Sequence, residues 1–450
     1  MIDTLNTFLR KLDPHSQELF RGASVALILR VAGAALTFLL SLVLARTLGA
    51  QGAGIYFLAY GVVTIVSVGA RLGLGGSLVR FTSAGATANE WSALNGLARR
   101  ALTLGSLAAG VATVLLLFGA PWLAEEAFDE PQLTAPLRIM VLAILPFVLL
   151  NLLGQLLRGR KRIAQSLAVM AALPPAVTCV GVLVLAPTAG TQGAAAAYVI
   201  ATVLTLALAG WWWHSASPRR TGPPGTFPLR TLLASSMPLF WHSLLSIVID
   251  RSPGLFLGLF ATASEVGILE VANRTALLVS FILLAVNSIA GPKFAELYSS
   301  GDIDALVRTA RRSALLSAAA ALPLVLVFVT VPEAVLSLFG ERFTAGASIL
   351  VILTLGQLFN AGTGSVAVLL VMSGNERAMR NVTLASLLVG VILYLGLIPL
   401  WGMHGAAVAC ALTVAFQNLM AVLAVRRALG IWALPYPSFP GRGPRGRERF

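Results

Sequence analysis

The chain has 450 residues, of which 57% are hydrophobic and only 11% charged, with a net charge of +14. Soluble domains carry about 25% charged residues, so this composition excludes a soluble globular protein and requires an integral membrane one. The basic residues punctuate apolar blocks and form no single stripe, which excludes nucleic acid as a partner.

The first 22 residues carry Asp3, Asp13 and Glu18 and lack the basic start and cleavage site of a signal peptide. They are expected to form a cytoplasmic N-terminal segment, with the first span retained. Apolar blocks then follow at residues 23–45, 52–70, 101–120, 135–157, 164–186, 192–213, 236–260, 266–290, 313–332, 347–372, 381–400 and 404–425. A helix needs about 20 apolar residues to cross the hydrocarbon core. The expected fold class is therefore all-α, with twelve transmembrane helices. Unbroken runs such as "GVATVLLLFG" do not suit the alternating pattern of a membrane barrel.

With the N-terminus placed in the cytoplasm, 26 of the 32 Lys and Arg residues fall in inner segments and two, Arg46 and Arg342, in outer loops. That bias puts both termini in the cytoplasm of a multi-pass inner-membrane protein. The acidic "EEAFDE", residues 125–130, then lies in the outer loop after the third span and reads as a solvated surface, since no Gly turn or EF-hand spacing accompanies it. Cys179 and Cys410 lie inside apolar runs and read as packing residues.

The two halves align at an offset of about 213 residues. "GAGIYFLAYGVV" meets "EVGILEVANRTA", with Gly54 over Gly267, and farther on "TQGAAAAYVIA" meets "GMHGAAVACAL", with Gly193 over Gly405. An even repeat of six helices returns the chain to its starting side, so two parallel copies are expected: an N-terminal lobe at 23–213 and a C-terminal lobe at 236–425. A Pro/Gly-containing cytoplasmic linker at 214–235 joins them, and a basic tail at 426–450 is suited to anionic headgroups.

Ionisable residues inside apolar spans cost about 2.5–3.5 kcal/mol or more at mid-bilayer and must face a partner or water. Those here are Arg30, Arg138, Asp250, Arg251, Glu270 and Arg274. Arg30 has no acid near it in sequence, so its partner must be another helix or a ligand, and a guanidinium suits a phosphate gripped bidentately. Asp250 and Arg251 are neighbours in "SIVIDRSPGL"; pointing about 100° apart on a helix, they are expected to divide between a cavity and a neighbouring helix. Glu270 and Arg274 are spaced to share one helix face. Arg46 reaches either water or a phosphate at the outer end of the first span, and Arg138 is close enough to a helix end to snorkel. His242 reads as a packing residue. Neither a catalytic triad, a zinc-ligand cluster nor a nucleotide-binding loop is visible, so no enzyme activity and no cofactor are expected.

"LARTLGAQGAGIYFLA" with "RLGLGGSLVRF" in the first half, and "SSMPLFWHSLLSIVIDRSPGLFLGLFATASEVGI" in the second, resemble the signatures of Wzx-type polysaccharide flippases. That family sits in the MOP superfamily with MATE multidrug extruders and the lipid flippase MurJ. The second half departs from the pattern in having "GIL" where the family places a tyrosine after Val-Gly. The resemblance implies a MATE-like fold and export of a polyprenyl-pyrophosphate-linked oligosaccharide by alternating access for cell-surface polysaccharide biosynthesis. Implied partners are that lipid-linked substrate, membrane lipids and a polysaccharide polymerase or other assembly proteins. On this reading Arg30, Arg46, Asp250, Arg251, Glu270 and Arg274 lie along the transport pathway. Alternatives are a drug or metabolite antiporter of the same fold, or a membrane enzyme or scaffold of polysaccharide assembly.

Overall fold

The computed structural model describes residues 14–88, 90–216, 225 and 227–432. Parts of the expected N-terminal segment, linker and basic tail therefore lie outside the described residues, among them Arg10, Lys11, Arg219, Arg220 and the tail arginines from Arg442 onward. Among the described residues every regular element is helical. A chain with no water to bond to in hydrocarbon satisfies its backbone most simply in helices, and this one has few charges to interrupt them.

The elements run α1 (Pro14–Ala70), α2 (Leu74–Thr87), α3 (Trp91–Trp122), α4 (Thr134–Val141), α5 (Ile144–Gly159), α6 (Ile163–Leu167), α7 (Leu173–Ala216), α8 (Leu229–Gly258) and α9 (Ala263–Ala276). They continue with α10 (Leu278–Ser299), α11 (Ile303–Thr330), α12 (Pro332–Ser337), α13 (Ala347–Thr363), α14 (Val366–Met372) and α15 (Glu376–Leu429). Eight helical stretches among the described residues are long and apolar enough to cross a membrane, or nine when the pair Pro131–Val141 and Ile144–Gly159, bent by 44°, is taken as one span. This is fewer than the twelve expected. Three of these stretches, α1, α7 and α15, each join two helical segments through a glycine: Gly49, Gly190 and Gly402.

These joints are sharp in α7 and α15. Gly190 (φ 54°, ψ −134°) and Gly402 (φ 53°, ψ −131°) adopt nearly the same conformation, one that only glycine takes readily. Each follows a proline by three residues, Pro187 and Pro399, and precedes a glycine by three, Gly193 and Gly405. A Cβ on Gly193 would overlap the carbonyl oxygen of Leu185, and one on Gly405 that of Leu397. Residues eight apart touch only if the helix has turned back, so both elements are antiparallel hairpins. The breaks expected at 186–192 and 400–404 fall on these glycines, and the joint recurs at an offset of 212 residues.

Contact density divides the chain into two compact units: one runs to Val271 and takes in Ser337–Phe343, the other comprises Ala272–Leu336 and the residues from Thr344 on. In the first unit α1 packs on α7 and α8, and α5 packs on α2, α3 and α7. Ser77 of α2 meets Ser235 of α8 at 2.8 Å and accepts from Ser236 at 2.9 Å. The repeat also appears as a reciprocal contact within this unit. A Cβ on Gly54 would overlap the carbonyl oxygen of Ala263, and one on Gly267 that of Ala50, while each would stand 3.0 Å from the other glycine's amide nitrogen. Ala50 and Ala263, like Gly54 and Gly267, are 213 residues apart, so equivalent positions of the two halves pack backbone to backbone.

The second unit has its own apolar core, with Phe294 of α10, Leu306 of α11, Leu369 and Leu370 of α14 and Val425 of α15 fully buried. A polar network crosses it: Ser280 donates to Gln357, Asn360 donates to the same Gln357 oxygen at 3.3 Å, and Thr363 donates to Asn418 at 3.0 Å. The span expected at 347–372 is interrupted at Gly364, whose φ of 68° and close approach to the Ala314 backbone exclude a side chain.

Candidate functional site

The densest grouping of charge inside the spans lies in the first unit, around Arg251 of α8. Apolar residues surround it in sequence, so the guanidinium needs protein partners, and three elements supply them. Its Cζ lies 5.0 Å over the ring of Tyr60 from α1. Tyr60 in turn meets Tyr198 of α7 edge-on, with centroids 5.4 Å apart at 87°, and stacks on Tyr56 one turn earlier at 6.2 Å and 9°. A cation over an aromatic face is held by about 0.5–2 kcal/mol, more when water is excluded. Only 20% of the Arg251 side chain is exposed.

Asp250 completes one side. Its Oδ2 stands 3.4 Å from Arg251 Nη2, and its side chain is 53% exposed. Asp250 and Arg251, expected to divide between a cavity and a neighbouring helix, differ in exposure yet touch each other. On the other side, Glu270 of α9 is buried, and its carboxylate lies against Gly254, one turn beyond Arg251 on α8. A Cβ at Gly254 would come within 2.5 Å of Glu270 Oε1, so glycine makes room for the acid. Pro253, between Arg251 and Gly254, has no N–H to give the carbonyl four residues before it and loosens the helix there.

This grouping holds buried donors that make no hydrogen bond among the described residues. Arg251 Nε and the Tyr198 hydroxyl are buried with no hydrogen-bond partner among the described residues. A buried polar atom left unpaired costs about 1–3 kcal/mol, which makes these atoms the places where an acceptor from a ligand would gain most. The arrangement is a fixed cation beside an exposed carboxylate that an incoming anion can replace.

The other sequence candidates lie elsewhere. Arg30 of α1 is exposed and makes no ion pair among the described residues. Arg46 is exposed, and its Nε donates to the carbonyl oxygen of Leu338 at 2.6 Å. With Phe38 edge-on to Phe339 at 5.6 Å, this ties the segment Ser337–Phe343 to α1. Arg274, one turn after Glu270 on α9, is partly buried and falls in the second unit. Sequence reasoning missed Tyr60 and Tyr198. The signal was present: the chain has only six tyrosines, and three of them sit in apolar spans that converge here.

With this geometry in place, comparison with known proteins decides the family. Residues 43–348 match the model of a polysaccharide biosynthesis protein family. The chain belongs to that family. It is similar to the "Probable low-salt glycan biosynthesis flippase Agl15" of Haloferax volcanii, 24% identical over 417 residues that cover 90% of this chain and 82% of that protein. It also matches the "Probable flippase AglR" of the same organism at 25% identity, over 39% of this chain and 37% of that protein's length. Among solved structures, an inward-facing MATE family multidrug resistance transporter of the MOP superfamily superposes with a TM-score of 0.73 at 16% identity, covering 90% of this chain and 98% of the other. The lipid II flippase MurJ in an inward closed conformation gives 0.72 at 13% identity, covering 89% and 87%. The fold of this family member is therefore MATE-like and all-α, and the protein is a multi-pass membrane protein.

Proposed function

We infer that this protein carries a polyprenyl-pyrophosphate-linked oligosaccharide across the cytoplasmic membrane by alternating access, acting as a transporter and not as an enzyme. The family match, the flippase relatives and the MATE and MurJ-like fold support the class of activity. The observation that carries the substrate chemistry is Arg251: a mostly buried guanidinium held over Tyr60, with one unpaired N–H and a displaceable carboxylate at its side. A pyrophosphate is the kind of group such a cation holds well, because a guanidinium offers parallel donors to two oxygens.

The same reading takes each glycine-jointed element as two crossings. Nine spans with three split at Gly49, Gly190 and Gly402 favour twelve, arranged as lobes at 23–213 and 236–425 with both termini in the cytoplasm. Arg251, Asp250 and Glu270 belong to the transport pathway; Arg30 and Arg274 contact substrate at other stages; Arg46 serves the outer end of the first span. The partners are the lipid-linked glycan, membrane lipids and assembly proteins that receive the product.

Purified protein alone in proteoliposomes tests this reading. A fluorescent lipid-linked oligosaccharide should become accessible to an external glycosidase faster than in empty vesicles. Equal rates would overturn the proposal.

A further inference from the structure

Outside the Arg251 grouping, the first unit holds a cleft of about 510 Å³ between the start of α4 and the joint of α7. That volume lies in the range of small-molecule sites, about 300–1,000 Å³. Its polar lining is Gln132, Thr134 and Arg138 from the α4 side and Thr191 and Gln192 from the segment just after Gly190. One cation, two amides and two hydroxyls converge, and no carboxylate lines the cleft. Arg138 is exposed, with no ion-pair or hydrogen-bond partner among the described residues. The Thr134 hydroxyl is buried and likewise has no hydrogen-bond partner among them.

If Arg138 merely snorkelled, an apolar surround would suffice; the amides and hydroxyls gathered around it would have no purpose. The acids next in sequence, Asp129 and Glu130, do not line the cleft. The Glu130 carboxyl is held above its ordinary range by burial and by the Asp129 charge. The start of α4 supplies one wall and the segment of α7 just after the Gly190 joint supplies the other, both expected on the outer side.

The geometry points to an anion-binding site at this cleft, separate from Arg251, that takes a phosphate or carboxylate borne on a hydroxyl-rich group. The guanidinium grips the anion, Thr134 donates its unused hydroxyl, and Gln132, Gln192 and Thr191 meet the neighbouring hydroxyls. A sugar acid, a sugar phosphate and a glycerophosphate headgroup share this chemistry.

Titration calorimetry on the full chain in neutral detergent tests the site directly, with inorganic phosphate, glucuronate and, as a neutral control, glucose. Saturable binding of phosphate or glucuronate is expected, weakened at least tenfold in Arg138→Gln and partly kept in Arg138→Lys, with glucose binding far more weakly. Thr134→Val should weaken the anions severalfold at an unchanged unfolding temperature. Absence of saturable binding by either anion, or equal affinity in Arg138→Gln, would overturn the site. Repeating the titration in nanodiscs separates the two sources of the anion. Competition by phosphatidylglycerol but not phosphatidylcholine assigns the site to a lipid headgroup, and undiminished binding assigns it to a soluble anion. None of these readouts requires transport, so the flipping proposal and this one can fail independently.

Discussion

At Arg251 the side chain has to be held by something other than water, and Tyr60 does the holding. Replacing Tyr60 by Phe keeps an aromatic face under the guanidinium and should leave stability and transport close to the parent. Tyr60→Leu removes about 0.5–2 kcal/mol of cation–π attraction and should lower the transport rate by up to about tenfold, read in the proteoliposome assay. Gly254 makes a separate case. Gly254→Ala pushes a methyl against the Glu270 carboxylate and should cost about 1–3 kcal/mol in unfolding measured in detergent. The charges were legible in sequence, because an Asp-Arg pair in an apolar run stands out. Their partners were not, since Tyr60 and Tyr198 lie 191 and 53 residues away and nothing local ties them to Arg251. Nor could spacing alone show that Arg251 touches Asp250.

Helices were legible wherever hydropathy was unbroken, as in α3 and α11. What composition hides is how two apolar segments are joined. At Gly190 and Gly402 two helical segments abut through one non-helical glycine where the chain reverses, and a proline lies three residues before each turn. Gly190→Ala and Gly402→Ala each force a side chain into a conformation costing about 1–3 kcal/mol. Both should lower the unfolding temperature by similar amounts, because their backbones match. A large effect at one joint and none at the other would contradict their equivalence. The reciprocal contact of Gly54 and Gly267 gives the aligned repeat a physical meaning. Neither position accepts a Cβ without moving a backbone carbonyl, which is why the glycines recur where the two halves meet in sequence alignment.

For the whole molecule, hydropathy and the distribution of arginine predict a topology that chemical labelling can read. Cys179 and Cys410 are both buried, so replacing them by alanine should give a workable background for single-cysteine variants. In intact cells a membrane-impermeant maleimide should label Gln132→Cys, in the outer loop region, and leave Ser300→Cys, between α10 and α11, unlabelled until the cells are opened. Both positions are exposed. The reverse pattern would invert the orientation and with it the direction of transport. The proposed account is that a fixed guanidinium, that of Arg251, receives the pyrophosphate of a lipid-linked glycan. The most direct test is the initial rate of flipping in proteoliposomes for the parent protein, Arg251→Lys and Arg251→Gln at equal incorporation. The account predicts at least a tenfold loss in Arg251→Gln and an intermediate rate in Arg251→Lys; a parental rate in Arg251→Gln would contradict it.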